Sequence, residues 1–315
     1  MTVNPVANSH IIYDAAASYP AKLRRLTPPP RTLWLRGTLE NFNAISKAYR
    51  KIAIVGSRAA LTADSAKASL LAAHVAGLGG VVVSGGALGI DAAAHRGALS
   101  CGGATCVVLG CGIDITYPDR HAALFDAIAV RGAVLSQFAP GVTPKPGTFV
   151  TRNATIAALV DAVVIVGASL RSGALHTVAA AHELGVPVMA MPGAPGCDRL
   201  IATGKAISIQ DGDELDVVCD GNYVLHTMPT QAETPMEANE GAVLATFQDA
   251  TPRDEAWIIA AAGLAEEVVA RALVALELQQ LIEMVAPSKY RRVHKQVIRA
   301  VPRPAGQQVR RCHGD

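Results

Sequence analysis

Hydrophobic positions along the chain fall into two rhythms. From Lys51 to about residue 210, short apolar runs alternate with longer stretches of helical spacing. KIAIVG (51–56), VVVSG (81–85), TCVVLG (105–110), AVLSQF (133–138), AVVIVGA (162–168), PVMAM (187–191) and ISIQ (207–210) read as strands. Helices are expected between them, over about Thr62–Leu78, Asp91–Ser100, Asp119–Val130, Thr151–Val160 and Gly173–Leu184. Strands that are apolar throughout, rather than alternating, belong to a parallel sheet covered on both faces. The pattern predicts an α/β fold, a doubly wound Rossmann-like parallel sheet over residues 51–221. Ligands of such sheets bind outside the carboxyl ends of the strands.

Around this block the rhythm changes. Residues 1–50 read as a short leader, stopped by Pro28-Pro29-Pro30, and an edge strand at TLWLRG (32–37). Residues 222–238, polar and carrying Pro229 and Pro235, read as a linker. Over 239–293, three amphipathic helical segments precede LIEMV, a turn at Ala286-Pro287-Ser288, and KYRRV. That order predicts a small winged-helix domain, with Gly263 at the turn between its second and third helices. Residues 294–315 form a basic tail.

Composition supports a sizeable core: half of the 315 residues are hydrophobic and 17% are charged. No apolar run approaches the roughly 18 residues of a membrane span, so no membrane partner is expected. The start, MTVNPVANSHIIYD, lacks a basic segment followed by an apolar block, which predicts no secretory signal and a cytoplasmic location. The six cysteines contain no C-x-x-C pair. No metal site is expected, and most of the thiols should be small buried hydrophobes.

Net charge is +2. Eight basic and no acidic residues lie between Lys289 and Arg311, which leaves −6 for the rest of the chain. Such a tail suits non-specific nucleic-acid binding, or simply a solvated end. The third helix of the small domain carries Glu266, Glu267 and Glu277 against Arg271 alone. A DNA-reading helix should be basic, so this one is expected to face protein or solvent, with any duplex contact left to Lys289, Arg291 and Arg292.

Candidate chemistry gathers in the loops after the strands. Gly56-Ser57-Arg58 pairs a close-approach glycine and a hydroxyl with a guanidinium fork for phosphate oxygens. Ser84-Gly85-Gly86-Ala87-Leu88-Gly89-Ile90-Asp91 offers backbone N–H groups at a helix start, which is an anion site by geometry and dipole. Its spacing is not G-x-G-x-x-G, so no dinucleotide cofactor is expected. Asp91 is read alternatively as a helix cap, and its neighbour His95 as its catalytic partner or as a structural contact. Lys145, Phe149, Arg152 and Asn153 combine a ring with basic groups, as base stacking with phosphate neutralisation requires. Ser172 and Gly173 open another helix.

These segments, with VVLGCGIDITYP, F-x-x-RN, RSGALHT and MPG, resemble the bacterial DNA-processing protein A family, also called DprA or Smf. The resemblance covers about Tyr19 to Val218, and the end of the chain is similar to the winged helix of many members. It implies a non-enzymatic protein that binds single-stranded DNA, forms a homodimer, protects incoming DNA and helps to load RecA recombinase in natural transformation. Carried residue by residue, the DNA pocket falls on Gly56, Ser57, Arg58, Ser84, Gly85, Gly86, Arg152 and Asn153. Lys145 and Phe149 are neighbours, and Ser172 and Gly173 lie at the border.

Four positions depart from the family pattern. Val150 stands for a proline, Ala154 for an arginine, Gly167 for a glutamate, and Asp119 for a basic residue now followed by Arg120. The competing reading is a nucleotide phosphoribohydrolase-like enzyme on a related sheet. Its late Pro-Gly-Gly-x-Gly-Thr-x-x-Glu stretch is replaced here by Ser172-Gly173-Ala174-Leu175-His176-Thr177, without the glutamate. No catalytic residue and no cofactor are expected.

Overall fold

β-branched residues fill the central strands because both faces of the sheet are covered and every side chain must be apolar. In the computed structural model, which describes residues 2–3, 9–221, 223–229, 238–249, 251–278, 281–292 and 296–302, strand after strand is buried from end to end. The chain opens with β1 (Thr2–Val3), β2 (Ser9–Tyr13), a short 3-10 helix at Ala21–Arg25, β3 (Thr32–Arg36) and α1 (Leu39–Lys47). The alternating core follows: β4 (Lys51–Gly56), α2 (Thr62–Gly77), β5 (Val81–Ser84), α3 (Ile90–Ser100), β6 (Thr105–Leu109), β7 (Ile115–Thr116), α4 (Ala122–Arg131) and β8 (Ala133–Ser136). Then come α5 (Pro146–Leu159), β9 (Ala162–Val166), α6 (Leu175–Glu183), β10 (Val188–Ala190), α7 (Pro195–Ala202), β11 (Ile207–Ser208) and α8 (Gly212–Cys219). The remaining elements are β12 (Tyr223–Pro229), α9 (Ala238–Ala245), β13 (Arg253–Asp254), α10 (Glu255–Ala262), α11 (Glu266–Leu278), β14 (Ile282–Ala286), β15 (Lys289–Arg292) and β16 (Gln296–Pro302).

The large sheet has the order β12-β16-β11-β10-β9-β4-β5-β6-β8-β3-β2. From β11 across to β8 its neighbours are parallel, and β3 and β2 close that side antiparallel. Strand order turns back at β4: β5, β6 and β8 lie on one side of it and β9, β10 and β11 on the other. The loops after β4 and β9 therefore diverge, which opens the crevice where such sheets bind ligands.

By internal packing the chain divides into Met1–His226 with Ile298–Asp315, and Thr227–Val297. In the smaller unit α9, α10 and α11 surround Val243, Phe247, Ile258, Leu273 and Leu276. β13, β15 and β14 form its three-stranded antiparallel wing. Gly263 ends α10 in the left-handed conformation at φ 64°, where a side chain would be strained. This is a winged helix–turn–helix.

Several elements were not expected from the sequence. α1, α7 and α8 are helices, and β2 lies within the expected leader. The expected linker 222–238 holds β12, and the expected tail 294–315 holds β16. Both segments carry β-prone runs, Tyr223-Val224-Leu225 and Val297-Ile298. Residues 230–237 and 303–315 lie outside the described residues.

Candidate functional site

At the crevice between β4 and β9 lies a cleft of about 560 Å³. Its walls come from the loop after β4 (Gly56, Ser57, Arg58), the start of α5 (Phe149, Arg152, Asn153) and the loop before α6 (Ser172, Gly173). Helix α5 begins at Pro146 rather than near Thr151, with Pro at its first position. Thr148 fixes that start, accepting from Lys145 N at 3.0 Å and donating to Gly110 O at 2.6 Å. Because the segment is helical, Phe149 and Arg152 stand three apart on one face.

The two arginines of the cleft do different work. Arg152 is almost fully buried. Its Nη1 donates to Gly85 O and, at 2.7 Å, to Val108 O, while Nε donates to Asn153 Oδ1 at 3.2 Å. Burial pushes its guanidinium below the usual arginine range, and Asp91 opposes that shift. Arg58 is exposed, with its guanidinium carbon 5.1 Å from the Phe149 ring centroid. Arg152 approaches the same ring at 5.7 Å. Phe149 is thus flanked by a buried strut and a solvent-facing cation.

The glycine loop after β5 is already filled by the chain's own groups. Asp91 Oδ2 accepts from Gly85 N at 3.1 Å and Ala87 N at 3.3 Å. Burial raises the Asp91 carboxyl, against the pull of Arg152, the two N–H donors and Arg58. A Cβ on Gly85 would meet Arg152 Nη1 at 2.1 Å, so a glycine is required where the guanidinium crosses the backbone. A Cβ on Gly86 would meet Phe125 and Val107, which makes that position one of packing. Ser84 is buried and its Oγ donates to Ile54 O at 2.7 Å. The N–H groups that could cradle an anion are therefore occupied by a carboxylate, which a second anion would have to face.

Five of the expected residues do not line the cleft: Ser84, Gly85 and Gly86 in the filled glycine loop, and two others. Lys145 caps α5 from an exposed position, and Arg120 is exposed in the turn before α4; neither lines the cleft. His95 does not pair with Asp91: its Nδ1 meets Thr105 Oγ1 at 2.8 Å, and burial pushes it down to about 3. Ser169, His176 and Thr177 line the cleft without having been singled out. Tyr117 also escaped notice, although its ring centroid is 5.7 Å from that of Phe149. Both His176 and Tyr117 stand inside motifs quoted above. Among the described residues no group of three His, Cys, Asp or Glu side chains could hold a metal ion.

Comparison with known proteins decides the family. The family model described as DNA recombination-mediator protein A matches residues 10–218. The chain belongs to this family. A DprA relative from Mycobacterium tuberculosis is 39% identical over 214 residues, covering 66% of this chain and 54% of its own. The chain thus spans about half the length of that relative. DNA processing protein DprA of Streptococcus pneumoniae is 37% identical over 205 residues, or 62% of this chain and 70% of the relative.

Two solved structures share the fold. The X-ray structure of DprA from Streptococcus pneumoniae superposes with TM-score 0.61 at 34% identity, over 66% of this chain and 73% of that one. DprA from Helicobacter pylori, whose structure concerns a single-stranded DNA binding mode of that protein, gives TM-score 0.61 at 27% identity, over 69% and 97%.

Two departures from the family pattern now have a place. Gly167 has φ 61°, and a Cβ there would lie 2.8 Å from Asp64 Oδ2, so a carboxylate from α2 fills that space. Val150 sits exposed on the cleft wall. No helix among the described residues is long and apolar enough to cross a membrane.

Proposed function

We propose that this member of the DprA family binds single-stranded DNA in the cleft between β4 and β9. The observation that carries the reading is Arg58, a solvent-facing cation held over the Phe149 ring in a cleft bordered by small residues. A base can stack on Phe149 or Tyr117 while Arg58 takes a phosphate, and neither contact reads sequence. Ser57, Asn153, Ser172 and Gly173 let the backbone of the strand approach, whereas Gly56 is a glycine because a Cβ there would run into Val166 O of β9 and Ile90. Ser84, Gly85, Gly86 and Arg152 act behind the surface: Arg152 anchors Phe149 and the glycine loop. Lys145 and Arg120 contribute longer-range attraction.

The wider role follows the family. The protein protects incoming single strands and helps to load RecA, working as a homodimer in the cytoplasm, without cofactor or chemical step. Catalysis of the nucleotide-hydrolysing kind would need a free carboxylate, and Asp91 Oδ2 is committed to two backbone donors. The division of labour is proposed likewise: single strands bind at the large sheet, and the third helix of the winged-helix unit faces protein or solvent, with any duplex contact left to Lys289, Arg291 and Arg292.

Fluorescence anisotropy with an oligo(dT) probe tests the pocket. Phe149→Ala should weaken binding by roughly tenfold, since stacking contributes about 1–3 kcal/mol per base. Undiminished affinity would sink the assignment. Incubation with AMP should release no adenine. Replacing residues 239–293 by a short linker, which keeps β12 and β16 in the large sheet, should leave oligo(dT) binding largely intact.

A further inference from the structure

A second cavity, of about 190 Å³, lies between the sheet face and helices α1 and α5, with Lys51 at the start of β4 on its rim. Its base is apolar: Phe42 and Ile45 of α1, Leu135 of β8 and Leu159 of α5 are all buried. The space exists because β5 and β6 present only the short Val83 and Cys106 beneath a nine-residue helix. Around the rim stand Lys22 and Lys51, both partly buried.

We propose that this cavity binds a small amphiphile, one six-membered ring or short apolar chain that ends in a carboxylate. Size sets the apolar part. An apolar cavity of about 150 Å³ holds benzene, so this one has room for a ring and one short substituent, well below a drug-sized ligand. The rim sets the head group. Lys22 is committed, pairing with Asp161 and donating to Val160 O at 3.1 Å. Lys51 donates to Ala48 O at 2.7 Å and Ser46 O at 3.4 Å, two carbonyls for an ammonium with three donors. Burial lowers the Lys51 ammonium below the usual lysine range, with Asp161 opposing and Lys22 adding to the effect. A ligand carboxylate would give the third ammonium donor an acceptor. Lys51 starts β4 and Gly56 ends it, so this site is separate from the DNA cleft.

The test is a fluorine NMR titration of the full chain with 4-fluorobenzoate. Saturable binding is expected, displaced by benzoate about twofold to fivefold more effectively than by benzyl alcohol, the factor one partly solvated ion pair supplies. Benzylamine should compete worse still. Lys51→Met should remove the preference for benzoate, Arg58→Ala should leave it, and Cys106→Met, which fills the space, should abolish binding. No saturation up to about 10 mM overturns the proposal, as does binding that survives in folded Cys106→Met. Should Cys106→Met fail to fold, anomalous density for 4-bromobenzoate soaked into crystals of the unmodified protein decides it: bromine inside the cavity supports the site, and bromine elsewhere or absent overturns it.

Discussion

At the amino ends of the parallel strands, Arg50 donates to Asp216 and to Asp220 (2.6 Å), and His74 meets Asp216 at 2.8 Å. Asp161 accepts from Lys22 and from Lys51 N there. At the carboxyl ends, Arg152 donates to carbonyls, Asp91 accepts from backbone N–H groups, and Arg58 lies in solvent over a ring. The same residue types thus do two jobs. Pairing with carboxylates from another element fastens α8 to β4; a cation held over a ring in a cleft is available to a ligand. Arg152 belongs, by its burial, with the fasteners, although it stands among the ligand-facing residues.

Four changes would break or sharpen that contrast. Arg152→Ala should have the largest effect, about 3–5 kcal/mol of stability by urea denaturation, because it strips a buried charge from Asp91 and two carbonyls. Full stability with weakened DNA binding would move Arg152 to the ligand-facing group. Arg50→Ala should cost about 2 kcal/mol, less because Asp220 is half exposed, and should leave oligo(dT) affinity unchanged.

His95 supplies a pH signature. Its folded pKa is depressed to about 3, so below about pH 6.5 the unfolded chain takes up a proton that the folded one refuses. Stability present at neutral pH is then lost by about 1.4 kcal/mol per unit as pH falls toward 3. His95→Gln should flatten that slope in urea midpoints taken from pH 7 to 5; an unchanged slope would contradict the assignment. Smallest of all, Arg58→Ala should move stability by no more than about 1 kcal/mol, as an exposed cation–π contact allows.

The strands and the loops that follow them were legible because continuous apolar runs leave a parallel sheet little alternative. α1 and α8 were missed although each carries a readable start: Thr38 Oγ1 accepts from Asn41 N at 3.0 Å, and Asp211 Oδ1 from Glu214 N at 3.0 Å. Pro146 likewise signals the true start of α5. Residue type shows that Arg152 and Asp91 are charged, but their partners are carbonyl oxygens and N–H groups that every sequence contains. Only the fold reveals that Asp91 occupies the glycine loop from within. The expectation that most cysteines are buried is met only in part: Cys106, Cys111 and Cys197 are buried, Cys101 is exposed, Cys219 is intermediate, and Cys312 lies outside the described residues.

The central claim is that Arg58 is the cleft's working cation. Its most direct test is oligo(dT) affinity as a function of salt, for the unmodified protein and for Arg58→Ala. Loss of one phosphate contact should weaken binding about tenfold and reduce the slope of log affinity against log salt by about 0.7. An unchanged slope with unchanged affinity would contradict the account.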